Sequence, residues 1–105
     1  TDDTVSHLYD QLHPAVLHLV AHTIRTASRA GVPVAVCGEM AGDIGLTRLL
    51  LGFGLRQFSM HPAQLPEIKQ QVLRTSLPEV RALAARILRT ADPEKSRALL
   101  DRLNG

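Results

Sequence analysis

Apolar residues recur along the first third of the chain at helical spacing: Val16, Val20, Ile24 and Ala27, with Leu17 beside them, between Pro14 and Gly31. Proline suits the first turn, where its missing N–H costs nothing, and glycine suits a helix end because it enters the left-handed region freely. The pattern predicts an amphipathic helix over 14–30. At Val32 the period changes. Val32, Val34, Ala35 and Val36 lead to Cys37 without polar alternation, as expected of a parallel strand covered on both faces. Between Gly38 and Gly54 stand five of the seven glycines, which marks turns and close backbone approach. Within that stretch Asp43 is positioned to cap a short helix through Leu46, Leu49 and Leu50, which stops at Gly52 and Gly54. A second strand is expected over Leu55 to Met60. His61 to Gln64 then lead into a helix running to about Thr75. Val80, Leu83, Ala84 and Ile87 define another from about Pro78 to Thr90, and Asp92 with Pro93 opens a last one carrying Leu99, Leu100 and Leu103.

The expected fold class is therefore α/β, helix-rich, with two parallel strands and five helices in one piece over residues 1–105. Two parallel strands joined by a helical crossover hardly ever make a complete core, so the pattern reads as the end of a larger α/β repeat.

Composition narrows the functional classes. With 45% hydrophobic and 21% charged residues the chain is globular, and with only Tyr9, Phe53 and Phe58 aromatic its packing must be aliphatic. The longest apolar run, Leu49 to Leu55, is far too short to span a bilayer, and Asp2 and Asp3 do not suit a signal peptide. A single cysteine excludes an internal disulfide and a Cys-rich zinc site, which fits a reducing cytoplasm. The net charge of +2 is uneven: residues 1–52 carry three bases against five acids, and residues 53–105 nine against five. The later bases alternate with acids at helical spacing and lack aromatics to stack on bases, which argues for a solvated helix face over nucleic-acid binding.

Cys37 draws attention because it stands at the carboxyl end of a predicted parallel strand, where α/β folds gather ligands. Free cysteine is often only a small buried hydrophobe. Here Gly38, Glu39, Gly42 and Asp43 follow it, which suits a functional loop better than a core. Glu39 and Asp43 are four apart and open to acid–base or metal work, although Asp43 has the capping role available and Glu39 a solvated one. His18 and His22 share a helical face with Arg25 and Arg29, which disfavours a cation there. His7, His13 and His61 sit near element starts, where capping or a turn is the default. Neither a phosphate-binding P-loop nor a dinucleotide fingerprint is present.

One string carries a resemblance. Cys-Gly-Glu-Met-Ala-Gly-Asp at 37–43, followed by Leu49-Leu50-Leu51-Gly52-Phe53-Gly54-Leu55 and Phe58-Ser59-Met60, resembles the C-terminal region of the phosphoenolpyruvate-protein phosphotransferases, the enzyme I family of the bacterial sugar phosphotransferase system. So do His7-Leu8-Tyr9 and His13-Pro14-Ala15-Val16-Leu17, and the likeness extends along essentially the whole chain. More distantly the chain is similar to pyruvate phosphate dikinase and phosphoenolpyruvate synthase.

The resemblance implies the end of a (β/α)8 TIM barrel that binds phosphoenolpyruvate and magnesium, with Val32 to Cys37 as the seventh strand and Leu55 to Met60 as the eighth. A whole barrel takes about 250 residues. It implies Cys37 as the proton donor to the enolate of pyruvate, a role open to a thiol that keeps its proton at neutral pH. Gly38, Glu39, Gly42 and Asp43 would form the active-site loop. The magnesium ligands, the substrate arginines and the phosphorylated histidine are expected upstream of Thr1, with none of the metal ligands in this chain. The isolated chain is expected to be inactive as a phosphotransferase, and its parent to work on phosphoenolpyruvate, pyruvate and a phosphocarrier protein. Self-association is expected through faces around Val34, Val36, Leu50 and Leu51, unless the C-terminal helices cover them. The rival expectation is a stand-alone helical interaction module.

Overall fold

The computed structural model describes residues 11–105; His7 and the His7-Leu8-Tyr9 string lie outside the described residues. Helix α1 spans Pro14–Ala30 and opens on His13, whose Nδ1 accepts from the Ala15 N–H at 3.1 Å. Leu17, Ala21 and Ile24 form its buried stripe, with Val16 and Val20 flanking it. The apolar face is thus turned by about one residue from the expected one. Gly31 closes the helix at φ 70°, with its N–H on Ser28 O and the Val32 N–H on Ala27 O.

The same device ends the central helix. The short helix expected here forms as α3 (Thr47–Phe53), and a single further helical turn, α2 (Glu39–Gly42), precedes it. Gly54, at φ 108°, donates to Leu51 O, and the Leu55 N–H reaches back to Leu50 O. In both places glycine takes the left-handed position of a Schellman cap and the next residue completes it. Val32 and Leu55 were expected to start strands; each instead finishes a helix. Pro33 then removes a ladder donor from the first strand. Pairing is left to β1 (Val36–Cys37) and β2 (Phe58–Ser59), parallel, with Val36 opposite Phe58 and Cys37 opposite Ser59.

This short ladder is not covered on both faces. Val34, Val36 and Phe58 pack on the core, while Ala35, Cys37, Gln57 and Ser59 are exposed. The unalternating apolar run therefore misled: the strand alternates, with alanine and cysteine on its open side.

The remaining helices are a 3-10 turn at Pro62–Gln64 and α4 (Leu65–Leu73), followed by α5 (Leu77–Leu88) and α6 (Pro93–Asn104). Asp92 caps α6 as expected, its Oδ1 accepting from the Glu94 N–H at 3.0 Å. Among the described residues four helices, α1, α4, α5 and α6, pack around α3. Its Leu49, Leu50 and Leu51 are all buried, so the C-terminal helices of this chain already shield two residues that were candidates for self-association. Three consecutive buried leucines point in different directions around a helix, which places it in the middle.

Gly52 explains how close the packing is. It lies inside α3, not at its end, and a Cβ there would come within 2.6 Å of Val80 O and 2.7 Å of the Ala84 methyl on α5. It is a contact residue; Gly54 alone is the stop. Arg48 locks the assembly from the other side, donating to Thr75 Oγ1, Leu103 O and Arg74 O at 3.1, 3.2 and 3.3 Å. A guanidinium is well matched to the carbonyl-rich ends of α4 and α6. Among the described residues no helix is long and apolar enough to cross a membrane.

Candidate functional site

The site lies at the carboxyl end of the two-strand ladder. Alternation along β1 turns Val36 inward and leaves Cys37 exposed on the open side, and the parallel register sets Ser59 beside it. Directly after Cys37, Gly38 adopts φ 78° and ψ −151°, which a side chain would resist, and redirects the chain into α2. Met40 and Ala41 of α2 are buried and hold the loop down. A pocket of about 350 Å³ results, lined by Cys37, Gly38, Glu39, Ser59, Met60, His61 and Gln64.

Of the loop residues singled out in the sequence, Gly38 and Glu39 line this pocket with Cys37. Gly42 sits behind, where a Cβ would overlap the Gln64 side-chain amide, so it brings α2 against the 3-10 turn. Asp43 does not cap α3. Its Oδ1 accepts from the Gly45 N–H at 2.8 Å and its carbonyl accepts from Leu46, closing the turn between α2 and α3; α3 begins at Leu46 without a side-chain cap. The aspartate is exposed and committed to this turn.

Four lining residues, Ser59, Met60, His61 and Gln64, had no functional role in the sequence reading. The available signal was pairing: once the strands are parallel and in this register, whatever ends the second strand must border Cys37. His61 does fill the expected capping role, its Nδ1 accepting from the Ala63 N–H at 3.3 Å. In the neutral ring that leaves the proton on Nε2, as a donor on a residue that borders the pocket.

His13, His18 and His22 do not join this site. His18 and His22 stand exposed on α1, with His22 Nε2 3.5 Å from Thr26 Oγ1. Among the described residues no three His, Cys, Asp or Glu side chains converge as metal ligands. Chemically the pocket offers one thiol, one carboxylate, a hydroxyl, an imidazole and an amide.

Parallel strands that bring a thiol and polar groups together at their carboxyl ends define an α/β protein with its site where such folds bind ligands. The chain belongs to the family described as PEP-utilising enzyme, PEP-binding domain, whose profile matches residues 1–77. It is 60% identical over 102 residues to a phosphoenolpyruvate-protein phosphotransferase of Cupriavidus necator, covering 97% of this chain and 17% of that protein. A protein of the same name from Buchnera aphidicola subsp. Schizaphis graminum is 38% identical over 103 residues, 98% of this chain and 18% of its own. Another, from Buchnera aphidicola subsp. Baizongia pistaciae, is 40% identical over 87 residues, 83% of this chain and 15% of its own. The chain thus spans less than a fifth of the length of these relatives.

Proposed function

We propose that this chain is the terminal part of the phosphoenolpyruvate-binding domain of a phosphotransferase and that Cys37 is its proton donor. The observation that carries the reading is an exposed thiol at the carboxyl end of a parallel strand, beside Ser59 and bordering a polar pocket. The names of the relatives favour it over a stand-alone interaction module.

In the reaction the bond from phosphorus to the enol oxygen of phosphoenolpyruvate breaks, and a histidine outside this chain takes the phosphoryl group, which then passes to a phosphocarrier protein. The electron pair left on oxygen makes the enolate of pyruvate. The Cys37 S–H delivers its proton to the methylene carbon, pyruvate leaves, and water returns a proton to the thiolate. Protonating the enolate as the ketone traps the product and draws transfer forward. The Nε2–H of His61 and the amide of Gln64 supply donors for the carboxylate or enolate oxygen at the same mouth. Gly38 and Glu39 shape the loop that follows the thiol, and Gly42 and Asp43 brace it from behind.

Magnesium belongs to the proposed chemistry, where it would neutralise phosphate charge. The pocket residues do not fit it by themselves, because among the described residues Glu39 is their single carboxylate and no second carboxylate borders it. Its ligands are expected elsewhere in the protein. The open face bearing Ala35, Cys37, Gln57 and Ser59 would meet further strands of a (β/α)8 barrel. Without them the chain alone is expected to transfer no phosphate and to self-associate.

The test is Cys37→Ala in the intact enzyme. A general acid typically contributes about 10²-fold or more, so pyruvate formation should fall by at least about 100-fold. Phosphoenolpyruvate binding, followed by calorimetry, should stay within about threefold, since the thiol acts after the substrate is seated. Turnover equal to the wild type would remove Cys37 from the mechanism.

A further inference from the structure

The bases of the second half of the chain are not spread evenly over a solvated face. Arg86 and Arg89 at the end of α5, with Lys95 and Arg102 of α6, line one pocket of about 400 Å³. Among the described residues Thr90, Ala98 and Leu99 complete its lining, and no carboxylate takes part. None of the four cationic side chains has a hydrogen-bond or ion-pair partner among the described residues.

Helical geometry accounts for the sorting. On α6, Glu94, Arg97 and Asp101 follow one another at i, i+3 and i+7 and form a stripe of mixed sign. Lys95 and Arg102 form a second stripe with Ala98 and Leu99, at i+3 and i+4 from Lys95, and it holds only bases. Asp92, three residues before Lys95, is occupied in capping the helix. On α5 the acid that shares a stripe with Arg86 is Glu79, seven residues and about 10 Å away along the axis. Four like charges facing one hollow repel one another, and an anion seated among them relieves that repulsion.

We propose that this α5–α6 pocket binds a small anion carrying two or three linked phosphoryl groups. Four positive charges match the charge of a di- or triphosphate better than that of a single phosphate. Three guanidinium groups provide paired N–H donors for phosphate oxygens, and Lys95 adds a movable charge. Buried Leu99 forms an apolar floor, and the volume lies in the range of small-molecule sites. The chain's aromatic residues, Tyr9, Phe53 and Phe58, all lie outside α5 and α6, so the pocket has no stacking platform for single-stranded nucleic acid. The pocket also lies beyond residues 1–77, the part matched by the phosphoenolpyruvate-binding family profile, and its proposal does not rest on the role given to Cys37.

Titration calorimetry of the full-length protein with inorganic pyrophosphate, inorganic phosphate and ATP tests this. Pyrophosphate and ATP should bind more tightly than phosphate, and all three should weaken as salt rises. The double variant Arg89→Ala/Lys95→Ala changes two exposed side chains; with an unchanged circular-dichroism spectrum it should lose at least about tenfold in pyrophosphate affinity. Arg97→Ala removes a charge from the mixed stripe and should leave affinity within about twofold. Equal affinity in the double variant, or an equal loss in Arg97→Ala, overturns the proposal. So does full displacement of pyrophosphate by phosphoenolpyruvate, which would locate the binding at the other pocket. Duplex DNA binding in the absence of pyrophosphate binding would make the surface a nucleic-acid contact and reject the proposal as well.

Discussion

Helix α3 and the β1–β2 ladder are separated by only four residues on one side, yet this chain supports them very differently. Around α3 every direction is filled: Leu49 and Leu50 are 1% and 2% exposed, and four helices pack against it. The ladder is two residues long on each strand and covered on one face. The contrast separates scaffold from site. A seven-residue helix with Leu49, Leu50 and Leu51 all buried holds the other helices together, and the exposed strand ends carry the group able to do chemistry.

Three substitutions test that division, from the largest expected effect to the smallest. Leu49→Ala should lower unfolding stability by about 3–4 kcal/mol, the cost of a cavity at a site with no room to relax. A loss below about 1 kcal/mol in urea titrations would deny α3 its central place. Gly52→Ala should cost about 2 kcal/mol through overpacking, because the added methyl meets the Val80 carbonyl and Ala84 and must push α5 away. Thermal melts would read this directly, and a neutral result would mean that the two helices separate easily.

Gly38→Ala makes the sharper comparison. Nothing lies within 4 Å of a Cβ at that position, so its expected cost of about 1 kcal/mol comes from backbone strain at positive φ. The consequence should appear at the site. The rate of Cys37 alkylation should change in Gly38→Ala and remain unchanged in Gly52→Ala. If both variants alter thiol reactivity alike, scaffold and site are coupled and the division fails.

Much of this was legible in the sequence because it depends on near neighbours. Helix α1, the Asp92 cap and the histidine turns at His13 and His61 use residues two to four apart, and such patterns survive in any context. Cys37 also stood out, since a thiol followed by Gly38 and Glu39 is an unusual neighbourhood for a core side chain. The misjudged elements share a different cause. Val32 and Leu55 carry strand-like side chains, but their N–H groups satisfy helix carbonyls left open by the Gly31 and Gly54 caps. Asp43 had the composition of a helix cap, and the nearer Gly45 N–H took its carboxylate.

The sequence by itself determined the five longer helices, their order and the isolation of one thiol among glycines and acids, because periodicity and capping are local. Tertiary structure decided three things that no local pattern carries. It made Gly52 a contact between α3 and α5, by bringing Val80 to its Cα across 28 residues of chain. Parallel pairing joined Ser59, His61 and Gln64 to Cys37. The packing of α5 on α6 drew four bases into one pocket, although along the chain they alternate with acids. Each depends on which surfaces meet after the chain has turned back on itself, and that is set by the burial of α3.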